Sequence, residues 1–239
     1  LRKTFPYYSL VYTMTEAQKS QCEKDLHGNM KILRKAAPYK NIEKKEIVNN
    51  PIRIIYAGGI YLNRWKTLKM LVDVLREINI NGVKAVLDIY TANEITRKIN
   101  SVLNDGTNSC LHSSVSQEKL EKIYQNSDIA LHVESFDIKN RLLVRMSFST
   151  KIVDCLSSGC AVMAICDSRQ GGFVYLNSEN VAFCVSNVAE MKQTLQNILA
   201  NKNIVLEYSN RAKECCIRNH NVDQIETMIK CDFESLVVS

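Results

Sequence analysis

The chain has 239 residues, 46% hydrophobic and 23% charged, which excludes disorder, collagen-like structure and a small disulfide scaffold and fits one large domain or two small ones. Its formal charge is +6, from 31 Lys and Arg against 25 Asp and Glu, short of the clustered excess expected of a nucleic-acid binder. Eight glycines and three prolines are too few for the many turns of an all-β fold, and the longest uncharged apolar run, Gly159–Cys166, is far below the ~18 residues of a membrane span.

Residue 1 is Leu, and the first ten residues lack the apolar core of a signal peptide, so the chain is expected to begin inside a longer gene product. Tyr8–Met14 reads as a strand. Thr15 is placed to cap the helix that follows, which ends at Gly28, and Met30–Leu33 reads as a short strand. Residues 36–51 are polar, hold Pro38 and Pro51, and read as a linker. Between Met30 and Arg53 there are seven basic and two acidic residues. That run fits a solvated linker, or attraction to an anionic membrane surface or ligand.

From Arg53 onward the rhythm is regular. Arg53–Ala57 is a buried-strand pattern, followed by Gly58-Gly59. Arg64–Ile78 repeats Leu68, Leu71, Val72, Leu75 and Ile78 at helical spacing. Ala85–Tyr90 is a strand, Glu94–Leu103 a helix and Ser109–His112 a short strand. Ser116 caps a helix running to Gln125, with Glu118 completing a weaker capping pattern. Asp128–Val133 is a strand, 134–148 an irregular stretch, Ser149–Ser158 a helix stopped by Gly159, and Ala161–Cys166 and Val181–Val185 strands. Helices at Val188–Leu199, Asn203–Arg218 and Val222–Leu236 close the chain. Strands alternating with crossover helices predict a doubly wound parallel sheet, with any ligand site beyond the carboxyl ends of its strands.

The nine cysteines are odd in number, contain no C-x-x-C pair and fall largely inside apolar runs, so they read as reduced core residues in a cytoplasmic protein. The four histidines, His27, His112, His132 and His220, show neither metal nor triad spacing, and most of them read as structural or surface groups.

Two segments carry candidate chemistry. Gly58-Gly59 follows a strand and precedes a helix, which fits either a phosphate-approaching loop or a plain tight turn. G-x-G-x-x-G and G-x-x-x-x-G-K-[ST] are both absent, against a dehydrogenase or P-loop enzyme. Arg64 and Lys66 open the next helix, where cations oppose its dipole; an anionic ligand would explain them, and so would solvation. Ser149, Thr150 and Lys151 open another helix and fit a phosphate cradle or ordinary capping. Asp154 lies one turn beyond Thr150, where a carboxylate accepts hydrogen bonds from a ribose diol or sits on an exposed face.

Three blocks, IIYAGGIYLNRWKTLKML, VSQEKLEKIYQNSDIALHVES and SFSTKIVDCLSSGCAVMAI, together resemble the C-terminal, donor-binding half of GT-B glycosyltransferases of the retaining group, over about residues 52–200. The resemblance implies a Rossmann-like donor domain at 51–200, the end of an acceptor-side domain plus linker at 1–50, and C-terminal helices at 201–239 packing back on that side. It implies that Gly58, Gly59 and Lys66 contact the donor diphosphate, with Arg64 replacing the arginine expected at Gly59. It places Ser149, Thr150 and Lys151 on the phosphates and Asp154 on the ribose, in the position of a family glutamate. Residues 112–115 would meet the base. Met146 stands where a first family glutamate is expected, and Ala161 replaces a proline.

The implied partners are a nucleotide-diphosphate sugar and a glycan or lipid-linked acceptor, with no metal or cofactor, in surface polysaccharide synthesis. The basic linker adds a peripheral association with the inner membrane face. The isolated fragment is expected to bind donor without transferring sugar. A nucleotide-sugar epimerase of the same fold, or a non-catalytic scaffold motivated by Gly59 and Met146, are the alternatives.

Overall fold

The computed structural model describes residues 3–26, 28–38 and 45–237. His27 and the middle of the expected linker, with Lys40 and Lys44, lie outside the described residues.

Strands β1 (Val11–Thr13) and β2 (Met30–Ile32) pair in parallel and are joined by α1 (Glu16–Leu26). The Thr15 hydroxyl accepts the Gln18 amide hydrogen at 3.0 Å, so the expected cap on α1 forms. The next elements are β3 (Ile52–Ala57), α2 (Arg64–Ile78), β4 (Ala85–Thr91), α3 (Arg97–Leu103) and β5 (Ser109–Ser113). Then come α4 (Gln117–Gln125), β6 (Ile129–Val133), α5 (Ile138–Val144), α6 (Lys151–Leu156) and β7 (Ala161–Ile165). The chain ends with α7 (Gly171–Ser178), β8 (Ala182–Val185), α8 (Val188–Ala200), α9 (Asn203–Asn219) and α10 (Val222–Val237).

Six strands form one all-parallel sheet in the order β5-β4-β3-β6-β7-β8. This is the doubly wound arrangement, and it is why β6 and β7 are buried along their whole length: helices cover both of their faces. On one face Ile52, Ile54 and Tyr56 pack with Leu68, Leu71 and Leu75 of α2 and with Met191, Leu195 and Ile198 of α8. On the other, Ile55, Ala130 and Val162 pack with Ile152 and Leu156 of α6 and with Ala212 and Cys216 of α9. β3 and β6 are neighbours, yet the chain leaves them in opposite directions. The crevice beyond their carboxyl ends is therefore the topological switch point.

One expectation needs correction, and one helix lies in a stretch to which the sequence assigned no element. The stretch 134–148 contains α5, opened by the Asp137 carboxylate accepting the Lys139 amide hydrogen at 3.1 Å. It escaped the periodic reading because Ile138, Leu142 and Leu143 all face solvent. The turn after β7 holds a further helix, α7, whose sequence GGFVYLNS opens with two poor helix formers.

Two attachments tie the ends of the chain together. Asp232 on α10 accepts from the Tyr12 hydroxyl at 2.8 Å and pairs with Lys31, so α10 packs against β1 and β2. The segment after β2 is held by the turn beyond α9, where the Ala37 amide donates to the His220 carbonyl at 2.9 Å.

Candidate functional site at the switch point

β3 ends at Ala57 and delivers Gly58 and Gly59 into the crevice. The Gly58 amide continues the sheet ladder, donating to the Tyr90 carbonyl at 2.8 Å. It is therefore not available to a ligand, which corrects half of the expected amide pair. What requires glycine here is Lys151: a Cβ on Gly58 would lie 1.8 Å from the Lys151 ammonium. Gly59 is fixed by the Tyr56 hydroxyl, which donates to its carbonyl at 2.6 Å, and Asn93 holds the next amide at 2.8 Å. The turn then passes through Leu62 and Asn63, both at positive φ, into α2. A leucine in that region is strained, and such backbone is held only where surrounding contacts over-determine it.

Arg64 is not free for an anion. Its guanidinium grips the Glu134 carboxylate through two bonds of 2.7 Å, and only 8% of Arg64 and 3% of Glu134 is exposed. Burial works against the arginine's charge, but the Glu134 contacts outweigh it and hold the guanidinium above its ordinary value. The pair clamps the start of α2 to the end of β6, with the Thr67 hydroxyl also donating to the Glu134 carbonyl at 2.9 Å. Lys66 stands apart as well: it is exposed, its ammonium 5.8 Å from the Trp65 ring centroid.

Lys151 is the residue the fold delivers. It sits at the first position of α6, with its ammonium across Gly58 and 5.5 Å from the Tyr56 ring centroid. Among the described residues no carboxylate pairs with it. Burial, then the like charge of Arg64, pulls its pKa below the ordinary lysine value. An ammonium partly removed from water and without a counter-ion is costly unless a ligand supplies one. Neither Ser149 nor Thr150 caps α6 through its side chain. α6 has six residues, too short for a sizeable macrodipole, so the positive potential comes from Lys151 and not from the helix start. Asp154 follows one turn later and is engaged: the Lys35 ammonium donates to it at 2.5 Å and to the Thr150 carbonyl at 3.2 Å.

Two buried polar groups at this end of the sheet carry no signal in the sequence. His132 on β6 is 2% exposed and its Nε2 has no partner. Burial first, then Arg64 and Lys151, drives its pKa down to about 3, so the ring is neutral. Gln170 precedes α7, is 4% exposed, and leaves its side-chain oxygen unpartnered. α7 then opens with Gly171-Gly172, and a Cβ on Gly172 would stand 2.5 Å from Ile152 and 3.5 Å from His132 Nε2. A glycine pair also marks this turn, although here it lies inside the helix it opens, whereas Gly58-Gly59 directly follow a strand. On the far edge, His112 Nε2 meets Asp88 at 2.8 Å and stacks on Tyr90 with ring centroids 4.6 Å apart.

A six-stranded, doubly wound parallel sheet covered by helices on both faces is the architecture of the C-terminal half of a GT-B glycosyltransferase. The chain belongs to the glycosyl transferase-like family, whose profile matches residues 64–229. No functionally curated sequence matches it significantly. Its fold is similar to that of WaaG, a glycosyltransferase involved in lipopolysaccharide biosynthesis, with TM-score 0.64 and 12% identity over 91% of this chain and 60% of that one. It is similar to sucrose-phosphate synthase from Thermosynechococcus elongatus, with TM-score 0.70 and 14% identity over 96% of this chain and 58% of that one. It is similar to the pneumococcal O-GlcNAc transferase GtfA, solved with UDP and GlcNAc, with TM-score 0.71 and 12% identity over 99% of this chain and 47% of that one. At these identities the likeness is one of fold, and the chain spans between 47% and 60% of the length of those three proteins. Among the described residues no helix is long and apolar enough to cross a membrane.

Proposed function

We propose that this chain is the donor-side half of a glycosyltransferase and binds a nucleotide-diphosphate sugar at the switch-point crevice. The observation that carries the reading is the Lys151 ammonium, partly buried, without a carboxylate partner and laid across Gly58 at the carboxyl end of β3. A diphosphate supplies the missing counter-charge. As the glycosidic bond breaks, negative charge grows on the leaving nucleoside diphosphate, and a fixed ammonium in a partly dry crevice stabilises it without reorganising. Gly59 and the hydroxyls of Ser149 and Thr150 border the same place, and Asp154 lies where the ribose would come. Lys66 and Arg64 leave the phosphate set: one is solvated, and the other serves Glu134. The solved GtfA complex with UDP and GlcNAc supports this class of ligand. Transfer to a glycan or lipid-linked acceptor in polysaccharide synthesis, at or near a membrane face, belongs to the same proposal. The donor is a substrate, and no resident cofactor or metal is invoked.

Isothermal titration of the chain with UDP, GDP, ADP and CDP tests it. We expect at least one to bind and Lys151→Met to weaken it by roughly tenfold or more, as for loss of a charge-assisted contact. No binding to the folded chain, or equal binding by Lys151→Met, would overturn the reading.

A further inference from the structure

Lys35 lies outside the sheet, on the irregular segment after β2, and its ammonium ends on α6. It donates to Asp154 Oδ1 at 2.5 Å and to the Thr150 carbonyl at 3.2 Å. Both side chains are about one-third exposed, at 30% and 31%, so the ion pair by itself adds little stability. The backbone behind it, however, is held from within. His220 is fully buried, and its Nδ1 lies 2.8 Å from the Lys35 carbonyl, while its own carbonyl accepts the Ala37 amide hydrogen at 2.9 Å. A carbonyl only accepts, so Nδ1 carries the proton, and Nε2 accepts from the Tyr175 hydroxyl at 2.9 Å. The Tyr175 oxygen in turn accepts from Asn219 at 3.2 Å. Phe148 stacks on the His220 ring and meets Tyr175 edge-on.

A buried, satisfied network that ends by fixing the backbone at one surface lysine is poorly suited to a gate, which must move. It is well suited to holding a charge in place. With Oδ1 bound to Lys35, Asp154 cannot rotate freely, and among the described residues its Oδ2 has no partner. We infer that Lys35 is a positioning residue for Asp154, orienting the carboxylate so that one oxygen is left to accept hydrogen bonds from the ribose hydroxyls of the donor. This rests on the reading under Proposed function, which places the nucleotide at this crevice. It adds a recognition element from the N-terminal segment that the donor-side sequence blocks do not contain. Asp154 is one methylene shorter than glutamate, so the direction in which Lys35 holds its carboxylate matters more to its reach.

The test uses the tightest-binding nucleoside diphosphate and its 2′,3′-dideoxy counterpart, titrated into wild type, Lys35→Met, Lys35→Arg and Asp154→Asn. Thermal melts confirm that each variant folds. We expect Lys35→Met to weaken the ribonucleotide roughly fivefold while leaving the dideoxy compound unchanged, Lys35→Arg to restore the difference, and Asp154→Asn to abolish it. Tighter ribonucleotide binding by Lys35→Met would mean that the lysine competes with ribose, and equal weakening of both compounds would mean that it touches phosphate; either overturns the inference. If Asp154→Asn keeps the ribose preference while Lys151→Met loses binding, ribose lies elsewhere, and this inference fails while the phosphate reading stands. If wild type binds neither compound, the underlying reading fails and takes this inference with it.

Discussion

The two ends of the sheet treat polar groups in opposite ways. At the amino end, Asp128 is fully buried just before β6, and its carboxylate is saturated. It accepts from the Asn49 amide at 3.1 Å, the Asn49 side chain at 3.0 Å and the Arg53 amide at 2.7 Å, and it pairs with Lys45 at 3.1 Å. At the carboxyl end, Lys151 has no carboxylate, and His132 Nε2 and the Gln170 oxygen have no partner. A third orphan, Ser109 Oγ, is the exception, since it begins the edge strand β5. Unpaired buried groups cost free energy, so a fold keeps them only where something else uses them. Asp128 reads as a fastening of the linker to the sheet, whereas the groups around Lys151 are left without such a fastening, which is where the proposed donor would bind.

The largest effect that would sharpen this contrast is at Asp128. Asp128→Ala takes the counter-charge from Lys45, which keeps only the Ser127 carbonyl at 2.7 Å, and strips the Asn49 and Arg53 amides of their acceptor, and we expect a loss of about 3–5 kcal/mol in urea unfolding. Lys151→Met goes the other way. It removes a desolvated, unpaired charge, so we expect unchanged or raised stability together with the loss of nucleotide binding. Lost stability in Lys151→Met would break the contrast, because it would make the lysine a structural group.

Gly58→Ala is a gentler probe of the same crevice. The new methyl meets the flexible end of Lys151, not backbone, so the ammonium is displaced. We expect stability to change by less than about 1 kcal/mol and nucleotide binding to fall at least tenfold.

The remaining probe of the crevice is a pH dependence. His132 titrates at about 3 when folded against 6.5 unfolded, so between those values the unfolded chain holds a proton that the folded chain does not. Its contribution to stability is complete above pH 6.5 and is lost as the pH falls toward 3, at up to about 1.4 kcal/mol per pH unit. Buried His220, also lowered, acts in the same direction. His132→Leu should flatten the stability profile between pH 6.5 and 5 by about one proton's worth, measured by denaturant titration across that range.

Most of the sheet was legible because its strands announce themselves as short apolar runs between turn residues, and α2 carries a clean helical stripe. α5 and α7 were not, for opposite reasons: α5 turns its aliphatic residues to solvent, and α7 begins with glycines. The site was half legible. Lys151 and Gly58 belong together as the motif reading suggested, but the link is steric, side chain over Cα, where an amide-to-phosphate contact had been expected. Arg64 misled because Glu134 lies seventy residues away in sequence, and no local pattern reveals that the two close on each other. His220 and Lys35 are further apart still, so their joint hold on Asp154 is visible only once the helices have packed.

All nine cysteines are free thiols. Burial lifts Cys160 to about 12 and Cys166 well above its ordinary value, whereas Cys231 on α10 stands in solvent. Because only the thiolate reacts, an alkylating reagent meets the fully exposed Cys231 first, then the partly exposed Cys22, Cys110 and Cys184, and the sealed thiols only when the layers part. The protein thus carries its own chemical stopwatch: Cys231 takes a dye at once, and the rate at which Cys160 and Cys166 follow times the opening of the helical layer over β7.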